Sequence, residues 1–103
     1  MIKRVTEGNK ISGIYCITYI PTGEMYIGRS TDIANRWGEH TKAAFSLGSI
    51  AHSSLHTKMA RDGIWNFTFQ ILEKVDKEKL NEREKYWINV YGSTVMLNQK
   101  QGG

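Results

Sequence analysis

Three side chains in this 103-residue sequence stand where only chemistry or pairing would justify them. A helix expected from about Asp32 to Leu47 puts Ile33, Trp37, Ala44 and Leu47 on one face, with His40 inside that apolar stripe and Arg36 on its edge. A later helix, expected from about Lys77 to Tyr91, buries Leu80, Trp87, Ile88 and Tyr91, and Glu84 sits in the middle of that stripe. An ionised carboxylate buried without a partner is costly, so Glu84 requires a cation, either Arg36 or a bound metal. On these residues alone, a structural ion pair or a carboxylate reaching past the stripe to solvent weighs as much as a catalytic role. His52 and His56, at i and i+4, could share a helix face and hold zinc, but Cys16 is distant and no full ligand set is visible.

The elements that must carry these groups can be read in order. Ile11 to Ile20 is rich in Ile, Tyr and Thr and predicts a strand. Pro21-Thr22-Gly23 turns the chain into a second short strand, Glu24 to Gly28, making a β-hairpin. As a three-residue loop with a left-handed glycine, this turn would place Tyr15 and Tyr26 on opposite faces, whereas a four-residue loop would place them on the same face. Ser30, Thr31 and Asp32 are helix-starting types and Gly48 is a stop. A shorter helix, Ser54 to Asp62, carries Leu55 and Met59 and ends at Gly63. Phe67, Phe69 and Ile71 alternate with Thr68 and Gln70 as in a third strand, and Asp76 can cap the last helix. The fold class is therefore α+β: a small three-stranded antiparallel sheet with three or more helices packed around it and the site on one face.

Composition narrows the function. Forty per cent apolar and 23% charged residues describe an ordinary globular domain, and 103 residues leave room for only one. Residues 1–10 read as a polar leader, 11–100 as the domain, and 101–103 as the start of a linker. Fourteen basic against ten acidic residues give +4, which favours a polyanionic partner, though dispersed charge implies weak, salt-sensitive attraction. No segment is long and apolar enough to span a membrane, no secretion signal is present, and the lone Cys16 cannot form an internal disulfide. These features imply a cytoplasmic protein with no membrane partner. Trp37 and Trp87 lie on or beside core stripes and read, with Trp65, as packing residues rather than a base-stacking platform.

Gly13-Ile14-Tyr15 followed by Tyr26-Ile27-Gly28, with the tyrosines eleven residues apart on a predicted hairpin, resembles the pair of tripeptides that names the GIY-YIG nuclease family. Arg36-x-x-x-His40, Glu84 within Glu82-Arg83-Glu84-Lys85-Tyr86-Trp87-Ile88, and Asn98 agree in order, so the resemblance covers about residues 12 to 100. It implies an active site of Tyr15, Tyr26, Arg36, His40, Glu84 and Asn98, with the two tyrosines on one face of the hairpin. His52, in His52-Ser53-Ser54, resembles a histidine of the phage homing members and is a further candidate. Glu84 is implied as ligand of one divalent ion, Mg²⁺ or Mn²⁺, which keeps most of its waters. Arg36 would clamp phosphate, and Tyr15 would contact the attacking water with His40 relaying, His40 being the rival base. Arg29, Lys58 and Arg61 are candidate contacts to DNA backbone.

The closest resemblance is to the N-terminal nuclease domains of phage and intron-encoded homing endonucleases, acting on double-stranded DNA in a phage-infected or bacterial cell. A separate C-terminal DNA-recognition domain is expected beyond Gly102-Gly103. The alternatives are the nuclease domain of a DNA-repair incision protein, and a non-catalytic nucleic-acid-binding module of the same fold.

Overall fold

The computed structural model describes residues 10–45, 54–92 and 97. Its elements run strand β1 (Gly13–Tyr19), strand β2 (Glu24–Ser30), helix α1 (Ile33–Phe45), helix α2 (Ser54–Asp62), strand β3 (Phe67–Lys74) and helix α3 (Leu80–Tyr91). Both strand pairings are antiparallel and the order across the sheet is β2-β1-β3, so the expected α+β arrangement is the one adopted. Among the described residues no helix is long and apolar enough to cross a membrane.

β1 is the central strand, and its apolar run Ile14-Tyr15-Cys16-Ile17 has no polar alternation because both of its faces are covered. Tyr15, Ile17 and Tyr19 pack with Ile33 of α1 and with Leu55 and Met59 of α2. Ile14 and Cys16 pack on the other side with Leu80, Trp87 and Ile88 of α3. Two helices thus cover one face of the sheet and the third covers the other.

In β3, Phe67, Phe69 and Ile71 point toward α1 and α2 as their alternation predicts. The pairing then skips from Tyr15↔Ile71 to Ile14↔Glu73, so Leu72 is an extra residue at a β-bulge. Leu72 follows Ile71 onto the α3 side by ordinary alternation, and the bulge changes the phase after it. That change presents Glu73 to α3, where its carboxylate accepts hydrogen bonds from Arg83 Nε at 2.8 Å and Trp87 Nε1 at 2.9 Å.

The sequence placed the start of the last helix too early. Asp76 precedes a short 3-10 turn, Lys77–Lys79, and makes no side-chain cap; the α-helix starts at Leu80. Leu80 is the first residue there that the core can bury, whereas Lys77, Glu78 and Lys79 stay in solvent. α1 is described as far as Phe45, and its expected end at Leu47 lies outside the described residues; α2 has the expected bounds.

Gly13 lies beside the bulge, where an added Cβ would run into the carbonyl oxygen of Glu73. Gly13→Ala should therefore cost about 1–3 kcal/mol through overpacking against backbone. The urea midpoint should fall with the slope unchanged, and a variant as stable as the parent would show that the bulge yields without cost.

Candidate active site

The geometry of the site begins with the length of one loop. Tyr19 pairs with Glu24, so four residues, Ile20 to Gly23, connect β1 to β2. The N–H groups of Thr22 and Gly23 both donate to the carbonyl of Tyr19, and Gly23 takes the left-handed conformation at φ 82°. Ile20 is taken out of the β1–β2 ladder because its N–H donates to the carbonyl of Asn66 at 2.9 Å, just before β3. That contact is between segments far apart in sequence, which is why the turn residues alone favoured a three-residue loop. With four, Ile17 lies opposite Tyr26 and Tyr15 opposite Gly28, and both tyrosines emerge on the α1 side of the sheet.

Tyr15 lies over Gly28. A Cβ at position 28 would fall inside the phenol ring and its hydroxyl, so bare backbone is what makes room for this side chain. The ring of Tyr26 stacks 6.3 Å away and the edge of Trp37 approaches to 6.2 Å.

α1 supplies the next groups. Asp32 Oδ1 accepts from the N–H of Asn35 at 3.3 Å, and the N–H of Ile33 donates to the carbonyl of Ile11 at 3.0 Å, which pins the helix start to the sheet. Ile33 is fully buried, and His40, seven residues on and on the same face, points into the sheet with 7% exposure. His40 Nε2 lies 2.8 Å from the Tyr15 hydroxyl and Nδ1 lies 2.9 Å from His56 Nε2 of α2. The Tyr26 ring meets His40 edge-on at 5.1 Å.

Burial sets the protonation of this group. It pushes the Tyr15 hydroxyl well above the ordinary tyrosine value; Tyr26 adds to the rise, Arg36 opposes it, and Glu84 adds a smaller push. Tyr26 is raised too, by burial first and then by Glu84. His40 is lowered to about 4, by burial first and then by His56 and Arg36. At neutral pH the site therefore holds two protonated phenols beside a neutral imidazole.

Arg36 and Glu84 approach from opposite sides. Arg36 sits on α1, about half exposed, with Glu39 at 3.5 Å as its acidic neighbour. Glu84 comes from α3, across the sheet from α1, so the site is not confined to one face as the sequence reading had it. Of its two expected cations, Arg36 or a metal, Arg36 is not its partner: Glu84 meets Arg29 of β2, Nη1 to Oε1 2.6 Å. Arg29 is next to Gly28 but opposite in phase, which turns it toward α3.

No group of three or more His, Cys, Asp or Glu side chains that could hold a metal occurs among the described residues. A lone carboxylate whose charge reaches both tyrosine hydroxyls still fits an ion that keeps its waters and shares the rest of its shell with a substrate phosphate. Glu84 is the residue that would hold it.

The remaining candidates are placed as follows. Lys58 lies 3.9 Å from Glu24 and over the Tyr19 ring, and Arg61 donates twice to Asp62, each bond 2.9 Å. Asp62 also accepts from the Tyr19 hydroxyl. Arg29, Lys58 and Arg61 thus all have partners within the protein, with Arg29 and Arg61 still largely exposed. His52 and Asn98 lie outside the described residues, and with His52 the possible zinc pair. Leu97, just before Asn98, is buried and tied to β2 by its N–H donating to the carbonyl of Met25 at 3.0 Å. Trp37 and Trp87 pack as expected, while Trp65 is 79% exposed with its ring over Gly63.

Comparison with known proteins bears on what this arrangement is. The family model of the GIY-YIG catalytic domain matches residues 11–99. The chain belongs to the GIY-YIG family. Its structure is similar to that of a mutant catalytic domain of the intron endonuclease I-TevI, with TM-score 0.70 and 29% identity over 82% of this chain and 88% of that one. It is also similar to the catalytic domain of the homing endonuclease I-TevI, with TM-score 0.67 and 30% identity over 89% of this chain and 94% of that one. No match was found among curated protein sequences. The GIY-YIG domain is an endonuclease module, and both of its tripeptide glycines have a steric reason here, Gly13 at the bulge and Gly28 under Tyr15.

Two features of this GIY-YIG site escaped the sequence. His56 flanks the stripe of Leu55 and Met59, but nothing in α2 alone says that it meets His40. The Arg29–Glu84 pair joins residues 55 apart, and only strand phase and helix placement bring them together.

Gly28→Ala should force Tyr15 off its seat and away from His40, reducing plasmid cleavage by about a hundredfold or more at a stability cost of about 1–3 kcal/mol. Cleavage at the parental rate would mean that the seat of Tyr15 does not matter.

His40 gives a stability signature. Its folded value of about 4 lies below the ordinary 6.5, so between these pH values the unfolded chain binds more protons and stability rises with pH. The contribution is complete above about pH 6.5 and declines by up to about 3 kcal/mol as the pH falls through that window. Melting curves from pH 4 to 7 should show that slope in the parent and a flatter one in His40→Gln.

Proposed function

We propose that this chain is the metal-dependent DNA-cutting module of a homing-type endonuclease, hydrolysing phosphodiester bonds of double-stranded DNA. The observation that carries the reading is the Tyr15–His40 hydrogen bond, built between two stacked tyrosines and a neutral histidine within reach of the charges of Arg36 and Glu84. The likeness to the catalytic domain of a homing endonuclease supports it and favours it over a repair nuclease. The filled catalytic positions weigh against a binding-only module.

Tyr15, protonated at neutral pH, is not a stored phenolate. It contacts the attacking water and accepts a proton from it as its own hydroxyl proton passes to His40 Nε2. The water oxygen bonds to phosphorus, the phosphorus–3′ oxygen bond breaks, and the departing oxygen takes a proton from solvent. An incoming phosphate brings negative charge next to His40, raising its proton affinity when it has to accept. Arg36 holds a phosphate oxygen through its guanidinium, and Tyr26 orients the substrate and its neighbours. Asn98 and His52 are assigned supporting contacts. When bound at Glu84, Mg²⁺ or Mn²⁺ would supply Lewis-acid stabilisation of charge on the phosphate.

Target choice falls to a separate C-terminal recognition domain, in the cytoplasm of a bacterial or phage-infected cell. In keeping with this, the basic candidates Arg29, Lys58 and Arg61 are engaged with carboxylates and the net charge is only +4, so their contacts to DNA backbone would be weak and salt-dependent.

A supercoiled plasmid assay at low salt, with and without Mg²⁺ or Mn²⁺, tests the reading. Cleavage that needs the metal is expected; cleavage undiminished by chelator would refute it. Glu84→Gln should lose both metal binding and cleavage while changing stability by no more than about 1 kcal/mol, because its partner Arg29 is half exposed and can be solvated. Arg29→Ala, which frees the carboxylate, should retain metal binding. Retained metal binding in Glu84→Gln would remove Glu84 from the role of ligand.

A further inference from the structure

The proton route above runs from Tyr15 to His40 and leaves His56 without a part. His56 lies on α2 between the fully buried Leu55 and Met59, so the packing of its helix against α1 holds it in place. Its Nε2 is 2.9 Å from His40 Nδ1, with ring centroids 5.2 Å apart. Tyr15, His40 and His56, from β1, α1 and α2, form one hydrogen-bonded chain.

A neutral imidazole carries one N–H and one bare nitrogen, so what His40 does at Nδ1 decides what it can do at Nε2. If Nδ1 bears the hydrogen, it donates to His56 Nε2, and the bare Nε2 of His40 accepts the Tyr15 hydroxyl. If Nδ1 is bare, Nε2 carries the hydrogen and points it at Tyr15, and no proton can be received there. Only the first arrangement lets Tyr15 act.

We propose that His56 is a positioning residue: by accepting a hydrogen bond from His40 Nδ1–H, it holds His40 in the tautomer whose Nε2 receives the Tyr15 proton. The inference rests on the reading of Tyr15 and His40 as the proton route. In the reaction the Tyr15 O–H bond breaks as the His40 Nε2–H bond forms, and the water proton replaces the one lost from Tyr15. His40 is then an imidazolium with both nitrogens protonated, and His56 Nε2 stabilises it through a hydrogen bond that becomes charge-assisted. The pattern is the general one of a base oriented by a third group.

The test uses the full chain, isotope-labelled on nitrogen, with two-bond nitrogen–proton correlation spectra to read the His40 tautomer and plasmid cleavage to separate kcat from KM. The parent should show His40 with its hydrogen on Nδ1. His56→Ala should shift His40 toward the Nε2–H form and lower kcat by about tenfold to a hundredfold while KM stays within about twofold. His56→Gln, whose amide oxygen can accept the same bond, should recover both the tautomer and most of kcat. A parent whose His40 carries its hydrogen on Nε2 would overturn the proposal without recourse to any variant. So would His56→Ala with unchanged tautomer and kcat, or His56→Gln that restores the tautomer but not kcat. Tyr15→Phe tells the two readings apart. If it cuts like the parent, the proton route fails and this inference with it; if it is inactive while His56→Ala is fully active, only the role of His56 fails.

Discussion

The site depends on the register between β1 and β2. Tyr15 must lie opposite Gly28, because every other residue would carry a Cβ into the space the phenol occupies. A one-residue slip would do more than displace a side chain. It would turn one tyrosine to the α3 side of the sheet, since the strand period is two, and so separate Tyr15 from Tyr26. The four-residue loop sets this register, and the bond from Ile20 to Asn66 holds the loop. The two halves of the hairpin are therefore coupled to Asn66, just before β3.

Burial then decides the chemistry that these residues can do. A tyrosine in water ionises near pH 10 and a histidine near 6.5, and burial moves each away from its charged form. For Tyr15 the nearby Arg36 opposes this without reversing it, and for His40 the neighbouring His56 and Arg36 reinforce it. At neutral pH the resting site thus holds two protonated phenols and a neutral imidazole, with the charges of Arg36 and Glu84 nearby.

The ionic groups around the site show a different economy. Arg29 with Glu84, Lys58 with Glu24, and Arg61 with Asp62 are all close pairs, and none is deeply buried on both sides. Such pairs contribute little to stability in water, but they reduce the long-range attraction that a basic protein would otherwise exert on DNA. Among the three arginines Arg36 has the longest such contact, 3.5 Å to Glu39, against 2.6 Å for Arg29 and 2.9 Å for Arg61.

Much of this protein was legible in its sequence because the signals were local. Alternation in Phe67, Phe69 and Ile71, the stripe of Leu55 and Met59, the stop at Gly63 and the apolar face carrying His40 each follow from a period of two or 3.6, and each element formed. The tripeptides and the spacing of Arg36, His40 and Glu84 were enough to identify the family, since residue types in order survive without knowledge of shape. What periodicity could not supply was anything that depends on two segments meeting. The loop count, the bulge at Leu72, the choice of Arg29 over Arg36 as the neighbour of Glu84, and the contact of His56 with His40 all arise between elements distant in the chain. A sequence specifies which face of an element is apolar, but the polar group at the edge of that face finds its partner only when packing fixes the angle and height of the neighbouring element, and that was decided by the tertiary structure alone.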